Sequence, residues 1–236
     1  MKVTLQSYLL IIFLALLTSC CRSLSEKFDD ILTIDLTQEL TSITPIVVRE
    51  ISLSTGDDPI GHMSKFVPAK DGFFIMDAFR NTIWKFSETG EKIGKLHSVG
   101  NGPGEYSCVS EIDVYPNGDL AVFDFKTGKI HRYDGFLNFV SSIEIPERAC
   151  GFSIGSDTSY FVNKAGDKHE LNINLGHFNT ADGDIEPIIK SKHKHENLAF
   201  GSGNTHFWRS GTDVIFSDRF TPDFYLFSNA LVSPYF

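Results

Sequence analysis

Few stretches of this 236-residue chain combine residue types and spacings that could do chemistry. Gly151-Phe152-Ser153-Ile154-Gly155 has the G-x-S-x-G spacing of a nucleophilic serine. That role needs a strand before the serine and a helix after it, so that the hydroxyl stands clear on a tight turn. Residues Asp157 to Val162 instead read as a turn and a strand, and no acid and histidine can be assigned to serve Ser153. His193-Lys194-His195-Glu196 sets two imidazoles at i and i+2, on one face of an extended segment, with a carboxylate beside them. Transition metals accept such a set, but Lys190, Lys192 and Lys194 oppose a cation, and the stretch reads as a solvated loop. Asp182-Gly183-Asp184 is too short for a calcium loop.

Gly100-Asn101-Gly102-Pro103-Gly104 is glycine-rich like a phosphate cradle. It lacks the Lys-Ser/Thr of a P-loop, Pro103 removes an N–H donor, and Glu105 puts negative charge where a phosphate would sit. It reads as a connector between sheets. Phe207 and Trp208 could line a carbohydrate or peptide site, although core positions are the first reading of two aromatics. No residue is therefore assigned a catalytic, metal-binding or cofactor-binding role, and no cofactor is expected.

The elements that would hold these residues follow a repeat. An apolar run, an Asp, five residues, an apolar residue, two more and an aromatic recur as Asp77, Ile83, Phe86 and as Asp124, Ile130, Tyr133, 47 residues on. A third copy places Asp218, Phe224 and Phe227 a further 94 residues on, twice the same period. A β-rich period in the forties is the signature of propeller blades. The copy between them is degenerate, and Ser159 to Asn163 with His169 to Leu175 supplies it. Phe73-Phe74-Ile75-Met76 and Leu120-Ala121-Val122-Phe123 lack polar alternation, which predicts strands covered on both faces. The three aspartates end such runs, where a carboxylate accepts backbone N–H groups of the next turn. Asn117-Gly118 predicts a two-residue type I′ hairpin.

Composition sets the address. With 42% hydrophobic residues and 21 Phe, the chain can build a sizeable core. Lys2 precedes an apolar run from Tyr8 to Leu17, too short to span a bilayer and suited to a signal peptide. Leu17-Thr18-Ser19-Cys20 resembles the bacterial lipobox, which implies cleavage before Cys20 and its diacylation; Cys21 is a shifted competitor that would put Thr18 in the usual leucine place. Loss of Lys2 with the leader takes the net charge from −9 to −10, which disfavours nucleic acid and basic-patch binding to anionic lipid. The remaining Cys21, Cys108 and Cys150 are an odd number; a Cys108–Cys150 bridge is permitted by an oxidising compartment, and two small buried side chains are the alternative.

In order, residues 1–19 read as leader, 20–44 as a tether with a first strand near Ile31 to Leu36, and 45–236 as one all-β domain. Ile46 to Leu53 reads as a strand, Gly135 to Ile145 as an outer strand, and residues 176–206 as a long loop or atypical sheet edge. From Val48 to Pro146 the segments resemble the six-bladed β-propeller lipoproteins of Gram-negative bacteria, which are similar in pattern to NHL-repeat propellers. The likeness is carried by Ile51-Ser52-Leu53 with Ile60-Gly61, by Asp77-x3-Asn81-x-Ile83-x2-Phe86-x3-Gly90, and by Gly100 to Tyr106. It implies the fold, export and a recognition role, with a glycan, peptide or envelope protein as ligand and no catalytic residues. An NHL-like lyase or lactonase with a metal in the central channel is the competing class. Six such units need about 280 residues, so an incomplete ring of four to five blades, a truncated reading frame or fragment without independent function, and association with another chain are all open expectations. If Cys20 carries the lipid, Cys20→Ser abolishes palmitate incorporation and releases the protein from the membrane fraction; undiminished labelling refutes the assignment.

Overall fold

The structure is a computed structural model that describes residues 49–145, 149–163, 173–190, 207–210, 213–217, 224–228 and 231–234. The leader, Cys20, Cys21, the strand expected near Ile31, Asp218 and His193 to Glu196 lie outside the described residues. Every described element is a β-strand. The first sheet holds β1 (Lys65–Ala69), β2 (Gly72–Asp77), β3 (Thr82–Phe86) and β4 (Lys92–Leu96); the second holds β5 (Val109–Val114), β6 (Leu120–Asp124), β7 (Lys129–Tyr133) and β8 (Phe139–Glu144). The third holds β9 (Gly151–Ile154), β10 (Ser159–Asn163), β11 (Ile173–Asn179) and β12 (Ile185–Lys190); the fourth holds β13 (Phe207–Ser210), β14 (Asp213–Ser217), β15 (Phe224–Ser228) and β16 (Leu231–Pro234). Each sheet is an antiparallel meander in chain order. The first strands lie side by side, β1 with β5, β5 with β9, and β9 with β13. Four blades thus stand around one axis, consistent with an incomplete propeller.

Alternate residues of one strand serve two different neighbours, which is why the runs show no polar alternation. Phe74 and Met76 of β2 join Ile112, Val114, Leu120 and Val122 of the second blade. Ala121 and Phe123 of β6 point the other way, into Phe152, Tyr160 and Phe178 of the third. Phe161 and Leu175 continue the pattern into Phe207, Val214 and Phe216 of the fourth. Each buried phenylalanine contributes about 2 kcal/mol by removal of its surface from water. On the far side of the first blade, Phe73, Trp84 and Phe86 are covered by Ile51 and Ile60. That contact corrects the strand expected over Ile46 to Leu53: the described residues 49–53 form no strand, and the segment lies on the blade face with one isolated bridge, Ser54 to Glu91.

The aspartates act as expected and reach further than a turn. Asp77 is buried, and its carboxylate accepts from Gly61 N and His62 N at 3.0 Å, ahead of β1, and from Arg80 N at 3.1 Å in the following turn. Asp124 accepts from Ser107 N (2.8 Å) and Cys108 N (3.1 Å), ahead of β5, and from Lys126 N and Thr127 Oγ1 (3.1 and 2.9 Å). Each thus ties the chain entering its blade to the end of the second strand. The 47-residue offset also carries backbone conformation. Asn81 and Gly128 both have positive φ, as do Gly90 and Leu137. Leu137 takes this costly conformation with its side chain packed over Gly94 of the first blade.

Several expectations are corrected. The Asn117-Gly118 hairpin is not type I′, because Gly118 alone has positive φ there. Pro116 holds φ negative, and the pairs Gly118 N to Tyr115 O and Tyr115 N to Asp119 O close a three-residue loop instead. In the degenerate copy, β11 spans Ile173–Asn179 and takes in the described part of the expected segment, residues 169–172 lying outside the described residues, and the stretch from 176 expected as a long loop or atypical sheet edge contains β12, the edge strand of its sheet. The outer strand of the second blade starts at Phe139, because Asp134 accepts from Phe136 N and Asn138 N and holds residues 135–138 in a turn. Cys108 and Cys150 are not joined, and both are half-buried rather than fully buried. Asp124→Ala leaves four donors without their acceptor and is expected to lower unfolding stability by about 3 kcal/mol, against within about 0.5 kcal/mol for Asp182→Ala in an exposed turn. Equal urea midpoints for the two variants would refute the clamp.

Candidate functional site

The inner strands carry charge where the rest of the blades is apolar. On β5, Glu111 and Asp113 share one face by the two-residue period, while Ile112 and Val114 turn into the contact with the first blade. Lys65, from β1, makes an ion pair with Glu111. Arg209, from β13, binds Asp113 in a fork, Nε to Oδ1 at 3.2 Å and Nη2 to Oδ2 at 2.9 Å. The same Nη2 donates to the Ile154 carbonyl at 2.5 Å and to Ser153 Oγ at 3.2 Å. Ser153 Oγ donates to Asp113 Oδ2 at 2.8 Å, and Ile154 N donates to the same oxygen at 2.8 Å. Two cations and two carboxylates from three inner strands, with the serine of the fourth, thus close a neutral network across the axis.

Environment separates the two carboxyls. Burial pushes Glu111 up to about 7, against the pull of Lys65. Burial also acts on Asp113, but the hydrogen bonds and charge of Arg209 outweigh it and hold the carboxyl below its usual range. That decides the Ser153 question. Ser153 sits in the middle of β9, paired with Phe161, with no turn and no helix. Its partners are Asp113 and Arg209, and a carboxylate of lowered pKa is a poor base for a hydroxyl proton. Ser153 is a cross-blade hydrogen-bonding residue.

The connector reading of Gly100 to Gly104 holds, linking β4 to β5. Glu105 folds back over it and accepts from Gly102 N at 2.7 Å, filling with its own carboxylate the place a phosphate would take. A Cβ on Gly100 would stand 2.0 Å from Glu105 Oε2, so this approach requires glycine. Tyr106 then plugs the blade interface, with its hydroxyl 3.1 Å from the Asn81 carbonyl and its pKa pushed up to about 12 by burial. Asp182 to Asp184 occupy the exposed β11–β12 turn, with Gly183 at positive φ. Among the described residues no three His, Cys, Asp or Glu converge as a metal site.

The two aromatics separate. Phe207 is buried between the third and fourth blades, whereas Trp208 is 47% exposed. Trp208 lines a cavity of about 410 Å³ between β1 and β13, together with Lys65, Phe66, Asp113, Ser153 and Arg209. Sequence reading missed Lys65, Glu111, Asp113 and Arg209. The available signal was the placement of charges in short strands that are otherwise apolar, as in Val109-Ser110-Glu111-Ile112-Asp113-Val114. Their partners, 46 and 96 residues away, had no signal at all.

The sequence pattern of a family described as "Domain of unknown function (DUF4934)" matches residues 48–236. No curated protein matches the chain. Among solved structures, a Bacteroides fragilis protein named for its inferred export is similar at 17% identity and a TM-score of 0.63, over 78% of this chain and 53% of that one. Virginiamycin B lyase from Staphylococcus aureus is 16% identical with a TM-score of 0.47, over 72% and 54%. A Bacteroides vulgatus member of the DUF4221 family is 10% identical with a TM-score of 0.47, over 72% and 56%. The chain spans about half the length of these structures, and the likeness to the first establishes the β-propeller fold and nothing more.

Because Glu111 holds its proton more tightly folded than unfolded, the stability it contributes is fully present below its ordinary value of 4.5 and is lost as pH rises through about 7. Urea unfolding between pH 5 and pH 8 is expected to show this decline, and Glu111→Gln to flatten it. An identical pH profile in the variant would show that Glu111 titrates normally.

Proposed function

The chain belongs to the DUF4934 family, and on that premise we propose that it is an exported, lipid-anchored β-propeller of the cell envelope that binds a ligand at its inner-strand cavity. The observation that carries this reading is the cavity itself. Trp208 is large, apolar and half exposed, as is Phe66 of β1, and it stands beside a hydrogen-bonded ion network. Concave sites with an apolar lining and a few fixed polar groups are what ligand binding requires. Rigid placement comes from the blades: Lys65, Asp113, Ser153 and Arg209 sit on strands rather than loops.

The lipobox at Leu17 to Cys20 and the apolar leader support export and anchoring through Cys20. The resemblance of Val48 to Pro146 to six-bladed lipoprotein propellers supports a six-bladed plan, of which the described residues supply four blades. A net charge of −9 directs the ligand search to glycans, peptides and envelope proteins and away from nucleic acid. Probing glycan and peptide arrays with the mature protein tests the reading. Binding that falls about tenfold in Trp208→Ala, an exposed position where truncation leaves stability within about 0.5 kcal/mol, is the expected result. Array ligands that bind the variant unchanged would place recognition elsewhere.

A further inference from the structure

The cavity has features that narrow its ligand. It lies between β1 and β13, each the terminal strand of its sheet, with one edge that no described strand pairs. Ser64 to Pro68 line one side in an unbroken row, and Phe207 to Arg209 line the other. An extended chain is the natural guest beside an open strand edge, since its backbone groups meet unpaired N–H and C=O groups.

The charges are layered rather than mixed. The carboxylates of Glu111 and Asp113 are 2% and 5% exposed, whereas the cations that cover them, Lys65 and Arg209, are 12% and 24% exposed. Solvent in the cavity therefore meets donors first. Arg209 spends Nε and Nη2 on Asp113, Ser153 and Ile154, and no described residue accepts from Nη1. Lys65 Nζ has Glu111 as its one described acceptor, out of three donors it can offer. Those spare donors can receive one carboxylate, while a dianion would place two further negative charges over two buried carboxylates. Phe66 and Trp208, both about half exposed, supply an apolar flank next to the donors.

We propose that this cavity takes the carboxyl end of a peptide. The terminal carboxylate rests on Arg209 Nη1 and Lys65 Nζ, the preceding backbone runs along the β1 edge, and the last side chain, apolar or aromatic, lies against Trp208 and Phe66. This rests on the reading of the cavity as the binding site. An acidic sugar offers the same single charge, but it offers no backbone to the strand edge and less apolar surface to the aromatic pair.

Lys65 competes between Glu111 and the ligand, which gives the site a pH signature. The groups facing Glu111 are Lys65 from β1, Asp113 on its own strand, and Gly151 of β9, with Arg209 of β13 behind Asp113. When Glu111 is protonated, the ammonium of Lys65 is released to the ligand, so affinity rises as pH falls through about 7.

The test is fluorescence anisotropy of the mature protein with a labelled pentapeptide ending in phenylalanine, as free acid and as amide. The acid is expected to bind about tenfold or more tightly than the amide, more tightly at pH 6 than at pH 8, and about tenfold more weakly to Trp208→Ala. Glu111→Gln is expected to strengthen acid binding at pH 8, a gain that damage to folding cannot mimic. Equal affinity of acid and amide with Trp208 dependence retained would overturn the carboxyl-end assignment while sparing the binding site. A glucuronate oligosaccharide that displaces the peptide at lower concentration than the acid itself would also overturn it, in favour of a glycan. Loss of Trp208 dependence for every probe would overturn both readings.

Discussion

The fold depends on a buried carboxylate that ends the second strand of a blade and gathers backbone N–H groups from two places at once. Asp77 and Asp124 each join the segment ahead of the first strand to the turn after the second. A charge in the interior is tolerable only with such donors around it, and four donors on Asp124 supply them. Because every donor except the Thr127 hydroxyl is a backbone N–H, the clamp depends little on the identity of the loop residues. In the first two blades it fixes where the blade begins relative to where its second strand ends.

From that constraint the packing follows. With the blades set radially, β2 and β6 are covered on both faces, so Phe73 and Phe74, or Val122 and Phe123, can both be buried although they point in opposite directions. Tyrosines cross these interfaces with a hydrogen bond at the tip: Tyr115 meets the Tyr160 hydroxyl at 2.7 Å, and Tyr133 donates to the Gly104 carbonyl at 2.7 Å. An aromatic body with a polar end fills the wide part of the wedge and still satisfies its hydroxyl.

Near the axis the strands converge, apolar filling gives way to charge, and the network becomes the molecule's most specific feature. Removing Arg209 would leave the buried Asp113 carboxylate without its partner, which commonly costs about 3–5 kcal/mol. The same arrangement leaves the outer surfaces of Lys65 and Arg209 turned to the cavity. One side of each of these two side chains holds the network together, and the other borders the cavity.

The amino-acid pattern alone was enough for the all-β class, the 47-residue unit, the doubly covered strands and the role of the aspartates, because each depends on residues within one blade. The connector at Gly100 to Gly104 was legible for the same reason, since Glu105 answers its own loop. The hairpin at Asn117 was misjudged because Pro116, one residue earlier, had already fixed the turn. What chain order could not supply was which charges meet near the axis. Lys65 with Glu111, and Asp113 with Ser153 and Arg209, are brought together only when successive blades rotate about it. Long-range ion pairs leave no periodic trace, since one charge needs a single partner at any separation, whereas a strand must repeat its pattern to be buried at all. Folding in three dimensions likewise divided Phe207 from Trp208, adjacent residues on opposite faces of β13, into a core residue and a half-exposed one that lines the cavity.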